Sequence, residues 1–187
     1  MKTGFLCLFT GLLFAAFVLS AEDTRLLWSS KDMGNIPISF WKPDASKAKP
    51  FKLPKAGQPG QFTYGIEIAV DSPDSGGCYV FNPPAAAERG YRLRLKAYGV
   101  NINDKSKIHL IGFSMSATKN LGRIPGEVVA KLYARPVDYV MEINTPGGPI
   151  WNEVIRIQVT LCVENLKGGK IIFDDIRFEE ILPSGKK

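Results

Sequence analysis

The sequence predicts an all-β protein, an antiparallel sandwich of two sheets, and three observations support this fold class. Residues 62–70, 91–100 and 154–164 each alternate between apolar and polar side chains, which is the period of a strand with one buried face. No stretch of the sequence sustains the period of a helix. Clusters of Gly, Pro, Asn and Asp separate the alternating segments, so the chain is expected to form about eight short strands or more, joined by polar turns.

The first 21 residues have the layout of a secretory signal peptide. Lys2 precedes an apolar run from Phe5 to Leu19, and the small residues Ser20 and Ala21 come next. This run is too short to favour a membrane anchor, so an uncleaved membrane helix is the less favoured alternative. We therefore expect a secreted protein, periplasmic or extracellular, without a membrane anchor.

The remaining chain, residues 22–182, has the length of a single domain with one core. A short first strand is predicted at residues 25–28. Residues 42–61 are rich in Pro, Lys and Gly and have no period, which indicates a long surface loop. Residues 183–187 are predicted to be a disordered tail.

The later strands are predicted from their alternation. In the segment 154–164, Ile157 and Val159 alternate with Gln158 and Thr160, so one side of the strand is apolar and the other is polar. Weaker strands are expected at residues 78–81, 107–117, 127–134, 137–143 and 170–180.

The net charge of the chain is positive. The sequence has 24 Lys and Arg against 18 Asp and Glu, and removal of Lys2 with the signal peptide leaves 23 against 18, a net charge of +5. A basic secreted protein favours anionic partners such as uronate-containing or sulfated polysaccharides. The alternative is that the charge only keeps the protein soluble, because the basic residues are scattered along the chain.

Residues typical of catalysis are few. The single histidine, His109, cannot supply a multi-histidine zinc site, and the sequence contains no Gly-x-Ser-x-Gly elbow, phosphate-binding Gly loop or Cys-x-x-Cys pair. Asp175 and Glu179 in the last strand lie too far apart for a retaining glycosidase, and Arg177 between them would pair with either. An enzyme is therefore the less expected class.

Two cysteines, Cys78 and Cys162, remain after removal of the signal peptide, which contains Cys7. In an oxidising compartment they could form one disulfide bond. The sequence does not give the distance between them, so a bond and two separate thiols both stay open.

Two adjacent aspartates, Asp174 and Asp175, interrupt the last predicted strand. Neighbouring strand residues point to opposite faces, so we expect one carboxylate to point towards the core or a sheet edge. Such a carboxylate needs a partner, and backbone N–H groups or an arginine such as Arg177 or Arg156 would supply one.

The final third of the chain resembles a known family. A Trp-containing turn, GGPIWNEV, leads to the alternating strand IRIQVTLCVE, then to the turn NLKGGK and the strand IIFDDIRFEE. This pattern resembles the C-terminal end of carbohydrate-binding modules with the galactose-binding-like jelly-roll fold, over residues 151–179. The segment RGYRLRLKAYG, within residues 88–100, is similar to a middle strand of the same family. The usual Asn-Gly-x-Phe-Glu opening is absent, so the likeness does not extend before residue 62.

The resemblance implies a structural calcium ion. In such modules calcium often joins acids near the first strand to an aspartate of the last strand, which here would be Asp174 or Asp175. Glu22, Asp23 and Asp32 are the candidates at the other end. The alternative is that the aspartate accepts backbone hydrogen bonds or pairs with an arginine.

The resemblance also implies a glycan-binding surface made of aromatic rings and planar polar groups. The candidates are Arg92, Arg94, Lys96 and Tyr98 on one strand face, Arg156, Gln158 and Thr160 on another, and the aromatic residues Trp41, Tyr79 and Trp151 near turns. If both strand faces lie on one sheet, they would form a basic surface suited to an anionic glycan. The alternative is that the aromatic residues belong to the core and the charges are only solvated.

The expected function is therefore non-catalytic binding of a polysaccharide or other glycan, with an anionic glycan as a candidate and with no nucleic-acid partner. A small jelly-roll glycoside hydrolase or polysaccharide lyase is the first alternative. A structural or adhesive domain that binds another protein is the second.

Overall fold

The computed structural model describes residues 24–29, 38–39, 48–68, 77–149 and 151–183. The expected signal peptide, residues 184–187 of the expected tail, Trp41, Glu22, Asp23 and Asp32 lie outside the described residues. The strands are β1 (Thr24–Ser29), β2 (Ile38–Ser39), β3 (Ala48–Pro54), β4 (Phe62–Ile68), β5 (Gly77–Phe81), β6 (Gly90–Val100), β7 (Lys107–Met115), β8 (Asn120–Lys131), β9 (Val137–Asn144), β10 (Arg156–Glu164) and β11 (Lys170–Ile181). A short 3-10 helix, Trp151–Glu153, precedes β10. Within these ranges, no helix has the length and apolar character needed to cross a membrane.

The strands form two antiparallel sheets, as the alternation predicted. Sheet A has the strand order β3-β4-β11-β6-β9, and β1 pairs with β11 beside β4. Sheet B has the order β2-β5-β10-β7-β8. Neighbours in the sheets are mostly distant in sequence, which is the connectivity of a jelly-roll sandwich rather than of a simple meander.

The core lies between the two sheets and is made by every second residue of the long strands. Leu93 and Leu95 of β6 and Ile157 and Leu161 of β10 are almost completely buried. Their immediate neighbours along each strand point the other way, away from the core. The strand faces predicted for these two segments are therefore confirmed.

The expected loop at residues 42–61 is wrong in part, because Ala48–Pro54 forms strand β3. β3 pairs with β4 along its whole length and lies at the edge of sheet A. Pro50 and Pro54 break the strand pattern in the sequence, but proline is tolerated on an edge strand, where one side of the backbone has no partner. The turn that follows, residues 55–61, is closed by a hydrogen bond from the N–H of Lys55 to the carbonyl of Gln61 at 2.9 Å.

A β-bulge in β11 changes the expected orientation of the two aspartates. The register with β6 shifts between Asp174 and Arg177, and Asp175 has a left-handed backbone with φ of 49°. The inward residues on either side of the bulge are Phe173 and Ile176, which are both fully buried. The prediction of an inward aspartate is therefore wrong, since the extra residue leaves both carboxylates partly exposed at the outer face of sheet A.

The buried carboxylate of this strand is instead Glu180, which continues the inward series after the bulge. Its side chain is only 7% exposed, and its Oε2 accepts a hydrogen bond from Arg25 of β1 at 2.5 Å. The guanidinium of Arg89 lies 3.9 Å from Oε1. This pairing ties β1 to the end of β11.

We expect Gly65→Ala to lower the free energy of unfolding by about 2–3 kcal/mol. A Cβ at this position would lie 2.2 Å from Cζ of Phe51 and 2.5 Å from the carbonyl oxygen of Ile171, which is held in the sheet. Gly112→Ala is the matched control, because its Cβ would be 3.5 Å from the nearest atom, Cδ1 of Ile143. Urea denaturation measures both variants, and equal losses would contradict the packing described.

Alkaline pH is expected to destabilise the fold through Tyr79. Burial raises its pKa from 10.0 to about 12, and its hydroxyl donates a hydrogen bond to the carbonyl of Gly65 at 2.7 Å. Between these two values the unfolded chain loses the phenol proton while the folded chain keeps it. Stability is therefore intact below about pH 10 and falls as the pH rises towards about 12.

The measurement is urea denaturation at a series of pH values between about 9 and 12. Tyr79→Phe should show a shallower fall in this window than the unchanged protein. It should still fall, because burial also raises the pKa of Tyr64, Tyr91 and Tyr139. Parallel curves for the two proteins would show that Tyr79 does not contribute.

Candidate ligand-binding site

The two polar strand faces that the sequence singled out lie on opposite sides of the sandwich. β6, which carries Arg92, Arg94 and Tyr98, belongs to sheet A, whereas β10, which carries Arg156 and Gln158, belongs to sheet B. A single basic surface made from both strands is therefore ruled out. Alternation predicts which side of a strand is polar, but it does not tell to which sheet the strand belongs.

Ion pairs occupy the outer face of sheet A. Arg92 donates hydrogen bonds to Oε1 of Glu142 from Nε at 3.1 Å and from Nη2 at 2.6 Å. Nε of Arg94 lies 3.6 Å from Oε2 of Glu179. The predicted basic residues of β6 thus face carboxylates from β9 and β11, and this face is not an open basic surface.

A cleft of about 640 Å³ opens on the same face beside the bulge of β11. Nζ of Lys55 lies 2.5 Å from Oδ1 of Asp174 on its wall. Arg177 holds Asp175 with two hydrogen bonds, from Nε to Oδ1 at 2.9 Å and from Nη2 to Oδ2 at 3.2 Å. Each of the two aspartates therefore already has a cationic partner, and for Asp175 it is the arginine that the sequence suggested.

These pairings bear on the expected calcium ion. Calcium takes about six to eight oxygen ligands, and the described residues contain no group of three or more His, Cys, Asp or Glu able to hold a metal. Asp174 and Asp175 alone do not fit the ion. The other expected ligands, Glu22, Asp23 and Asp32, lie outside the described residues, so the calcium site stays a prediction.

The outer face of sheet B has a different character. The outward residues of β10 are Arg156, Gln158, Thr160, Cys162 and Glu164, with successive members about 6.6 Å apart along the strand. Opposite the first four, β7 contributes Met115, Phe113, Ile111 and His109 in the same order. The face therefore combines a polar row on β10 with a largely apolar row on β7.

Three buried polar atoms on this face have no hydrogen-bond partner among the described residues: Nε of Arg156, Oγ1 of Thr160 and Nε2 of His109. Nε2 of His109 lies 3.1 Å from Oε2 of Glu164 without the alignment of a hydrogen bond, and Nδ1 lies 3.6 Å from Oε1 of Glu127. An orphaned buried polar atom costs about 1–3 kcal/mol, so such atoms are rare and call for an explanation. A ligand or water that supplies the missing partners is the simplest one.

Of the three residues with unpartnered atoms, Arg156 is the strongest indication of a ligand site. Arg156 is half-buried, Nε of its guanidinium is buried, and its neighbours across the ladder, Met115 and Pro84, carry no charge. The described arginines that pair with a carboxylate include Arg25, Arg92, Arg94, Arg123 and Arg177. No such pair involves Arg156 in the described part of the chain, so its charge is partly desolvated without compensation.

Phe113 supplies an aromatic ring next to these polar groups, and the sequence did not single it out. It is half-buried, lies between Gln158 on β10 and Arg123 on β8, and packs against a small buried apolar cluster on this face. The only feature of the sequence that points to Phe113 is its position in the alternation of β7, because it falls on the same side of the strand as the polar His109. An aromatic ring on the outer face of a sheet, beside hydrogen-bonding groups of the next strand, is the kind of surface that ligand sites use.

The other predicted aromatic residues do not join this group. Tyr79 is 2% exposed and belongs to the core, so it is not a stacking platform. Trp151 is half-buried and lies against Gly122, where a Cβ atom would be 3.4 Å from Cη2 of the indole. Tyr98 is half-buried on sheet A, on the opposite side of the molecule. Of the predicted ligand-binding residues, the structure therefore brings Arg156 and Gln158 together.

Comparison with known proteins supports the fold. No protein-family model and no curated protein sequence matches the chain. The CBM22-1 xylan-binding domain of Xyn10C from Paenibacillus barcinonensis is similar in structure, with 9% sequence identity and a TM-score of 0.53 over 88% of this chain and 100% of that chain. The enzymatically active domain of tailspike protein 4 from bacteriophage CBA120 also has 9% identity and a TM-score of 0.53, over 83% of this chain and 21% of that chain.

At 9% sequence identity, each of these two similarities shows a shared fold and no more. The chain spans about a fifth of the tailspike structure, and nearly all of it matches the whole xylan-binding domain. The jelly-roll sandwich predicted from the sequence is thus a fold that known structures share.

We expect Arg156→Met to leave the free energy of unfolding unchanged or to raise it by up to about 1 kcal/mol, because the variant removes an uncompensated, partly buried charge. Arg92→Met is the matched control and should lower it by about 1 kcal/mol, since it breaks two hydrogen bonds to the half-exposed Glu142. Chemical denaturation gives both values. A loss at Arg156 as large as that at Arg92 would mean that Arg156 has a structural partner.

Proposed function

We propose that this protein binds a glycan, without turning it over, on the outer face of sheet B. The observation that carries the proposal is the half-buried Arg156, whose Nε has no hydrogen-bond partner and whose guanidinium pairs with no carboxylate among the described residues. Such a group favours a ligand that brings a carboxylate or a sulfate, because two parallel N–H donors match the two oxygens of either group. The proposed ligand is therefore an anionic glycan.

The residues around Arg156 suit a sugar. The amide of Gln158 offers a donor and an acceptor two residues along the strand, on the same face. The ring of Phe113 lies opposite Gln158 and provides an apolar surface for the C–H side of a pyranose. A flat apolar element beside planar hydrogen-bonding groups is the combination that orients a sugar ring.

The fold supports the same class of ligand. The structural neighbour from Paenibacillus barcinonensis is described as a xylan-binding domain, and its fold covers most of this chain. That likeness makes a glycan a reasonable ligand for a jelly-roll sandwich, whereas the choice of an anionic glycan rests on Arg156 alone.

The carboxylates near this surface argue for binding rather than hydrolysis. A glycosidase places two carboxyl groups on either side of the scissile bond, with the sugar between them. Here Glu127 and Glu164 lie at opposite nitrogens of His109, 3.6 Å from Nδ1 and 3.1 Å from Nε2, so the imidazole lies between the two carboxylates. A sugar could not pass through this gap without displacing the histidine.

We also propose that the protein is exported. The apolar run that ends at Leu19, followed by Ser20 and Ala21, supports cleavage at the end of the leader. An extracellular or periplasmic location would give the protein access to polysaccharides. N-terminal sequencing of the protein recovered from an exporting host tests this point, and an intact Met1 would contradict it.

The binding proposal is tested on an array of uronate-containing, sulfated and neutral glycans, followed by titration calorimetry on the strongest ligand. Arg156→Ala should weaken binding of the anionic ligand by about 10- to 100-fold, the value of a lost charged hydrogen bond. Arg94→Ala is the matched control, because it removes the same side chain from the opposite face, and it should change the affinity less than about twofold. Affinity should fall with added salt.

Four results would contradict the proposal. Equal effects of the Arg94 and Arg156 variants would place the site elsewhere, and binding of neutral glycans only would remove the anionic specificity. Release of reducing ends or unsaturated uronates during incubation would make the protein an enzyme. Retention of no glycan, together with a stable protein complex, would favour an adhesive domain.

A further inference from the structure

Two cysteines lie directly opposite each other in sheet B. Cys78 of β5 and Cys162 of β10 are partners in the antiparallel ladder, and both are thiols in the structure. Their side chains share the outer face of the sheet with Ile111, and all three are buried. The thiol of Cys78 lies close enough to Cys162 to raise the pKa of the latter, together with burial.

This position is suited to a disulfide bond. Residues opposite each other in an antiparallel pair have Cα atoms about 4.5 or 5.5 Å apart, depending on whether they form a hydrogen-bonded pair. Disulfides accept Cα separations of about 4.4–6.8 Å. Both arrangements fall in that range, so a bond between Cys78 and Cys162 requires only a small inward adjustment of the two Cβ atoms, without any change of register.

We propose that Cys78 and Cys162 form a cross-strand disulfide bond in the exported protein. The thiolate of one cysteine attacks the disulfide of a thiol–disulfide oxidoreductase, which releases one of its two sulfurs as a thiol and leaves a mixed disulfide. The second cysteine then displaces the remaining sulfur of the oxidoreductase. Altogether the two strand thiols lose two protons and two electrons, and the disulfide of the oxidoreductase becomes a dithiol.

The bond forms during folding rather than afterwards. Cys78 and Cys162 are 1% and 4% exposed, so no oxidoreductase reaches them in the folded protein. The contact with Cys78 and burial raise the pKa of Cys162 well above its usual value, so the reactive thiolate is scarce once the sheet has formed. Oxidation therefore has to precede the docking of β5 against β10.

The bond would link β10 to β5, a strand that is well paired on one side only. β5 pairs with β10 on one side but only with the two residues of β2 on the other. The ladder pair two residues away from the cysteines is Val80 with Thr160, and Thr160 belongs to the polar row of the proposed ligand site. A covalent link at Cys78 would fix the distance between β5 and this row. The argument for the bond itself does not depend on the proposed glycan.

The experiment uses the full chain with Cys7→Ser, exported by an oxidising host, so that only the two strand cysteines remain. The protein is unfolded without reductant and treated with a maleimide. No labelling is expected before reduction and two labels are expected after it, with an intact mass that differs by two hydrogen atoms. The reduced protein should melt about 10 °C lower, because the bond closes a long loop.

The control is Cys162→Ala in the same background. It removes the thiol contact but leaves no bond to reduce, so its melting temperature should not respond to reductant and it should take up one label before reduction. Should this variant fail to fold, the comparison of oxidised and reduced forms of the Cys7→Ser protein, each refolded separately, gives the same information. Two labels on the exported protein without reductant would overturn the proposal.

Discussion

Sheet A depends on one strand, β11, which pairs with three other strands. Along one edge it pairs with β6, and along the other it pairs first with β4, up to Phe173, and then with β1, from Arg177. Two strands cannot meet the same edge without a gap, and the bulge lies at that gap. Asp175 takes the left-handed conformation that the bulge requires, which aspartate tolerates better than most residues do.

The adjacent acids at the bulge have a structural explanation. Oδ1 of Asp174 accepts a hydrogen bond from the backbone N–H of Asp175 at 2.7 Å, which satisfies a donor at the break in the ladder. Arg177 and Lys55 neutralise the two carboxylates. The interactions offset the cost of the left-handed residue, about 1–3 kcal/mol. The aspartates thus stabilise the crossing from one neighbour of β11 to the next, a role that needs neither catalysis nor a ligand.

The sequence predicts the inside and outside of each long strand, because burial on one face imposes a period of two. This is why Ile157 and Val159 could be assigned to the core, where both are completely buried. The same period contains no information on which strands are neighbours, so Arg92 and Arg156 looked equivalent although one faces Glu142 and the other faces Met115. Because of its prolines, the edge strand β3 was not predicted from the sequence. The extra residue at the bulge of β11 turned both aspartates outward, although one of them was expected to point inward.

The difference between the two outer faces is therefore a property of tertiary structure alone. On sheet A each predicted arginine meets a carboxylate from the next strand, and the pairs stabilise the surface. On sheet B the apolar residues of β7 offer no hydrogen-bond partner to Nε of Arg156 or Oγ1 of Thr160, and no other described residue does so, which costs stability that a bound ligand or water would recover. Strand β10 holds these groups rigidly, because Ile157, Val159 and Leu161 behind them are completely buried. For the proposed glycan, a fixed array of unsatisfied donors would lose little conformational entropy on binding, so the rigidity that the core imposes on β10 would favour affinity.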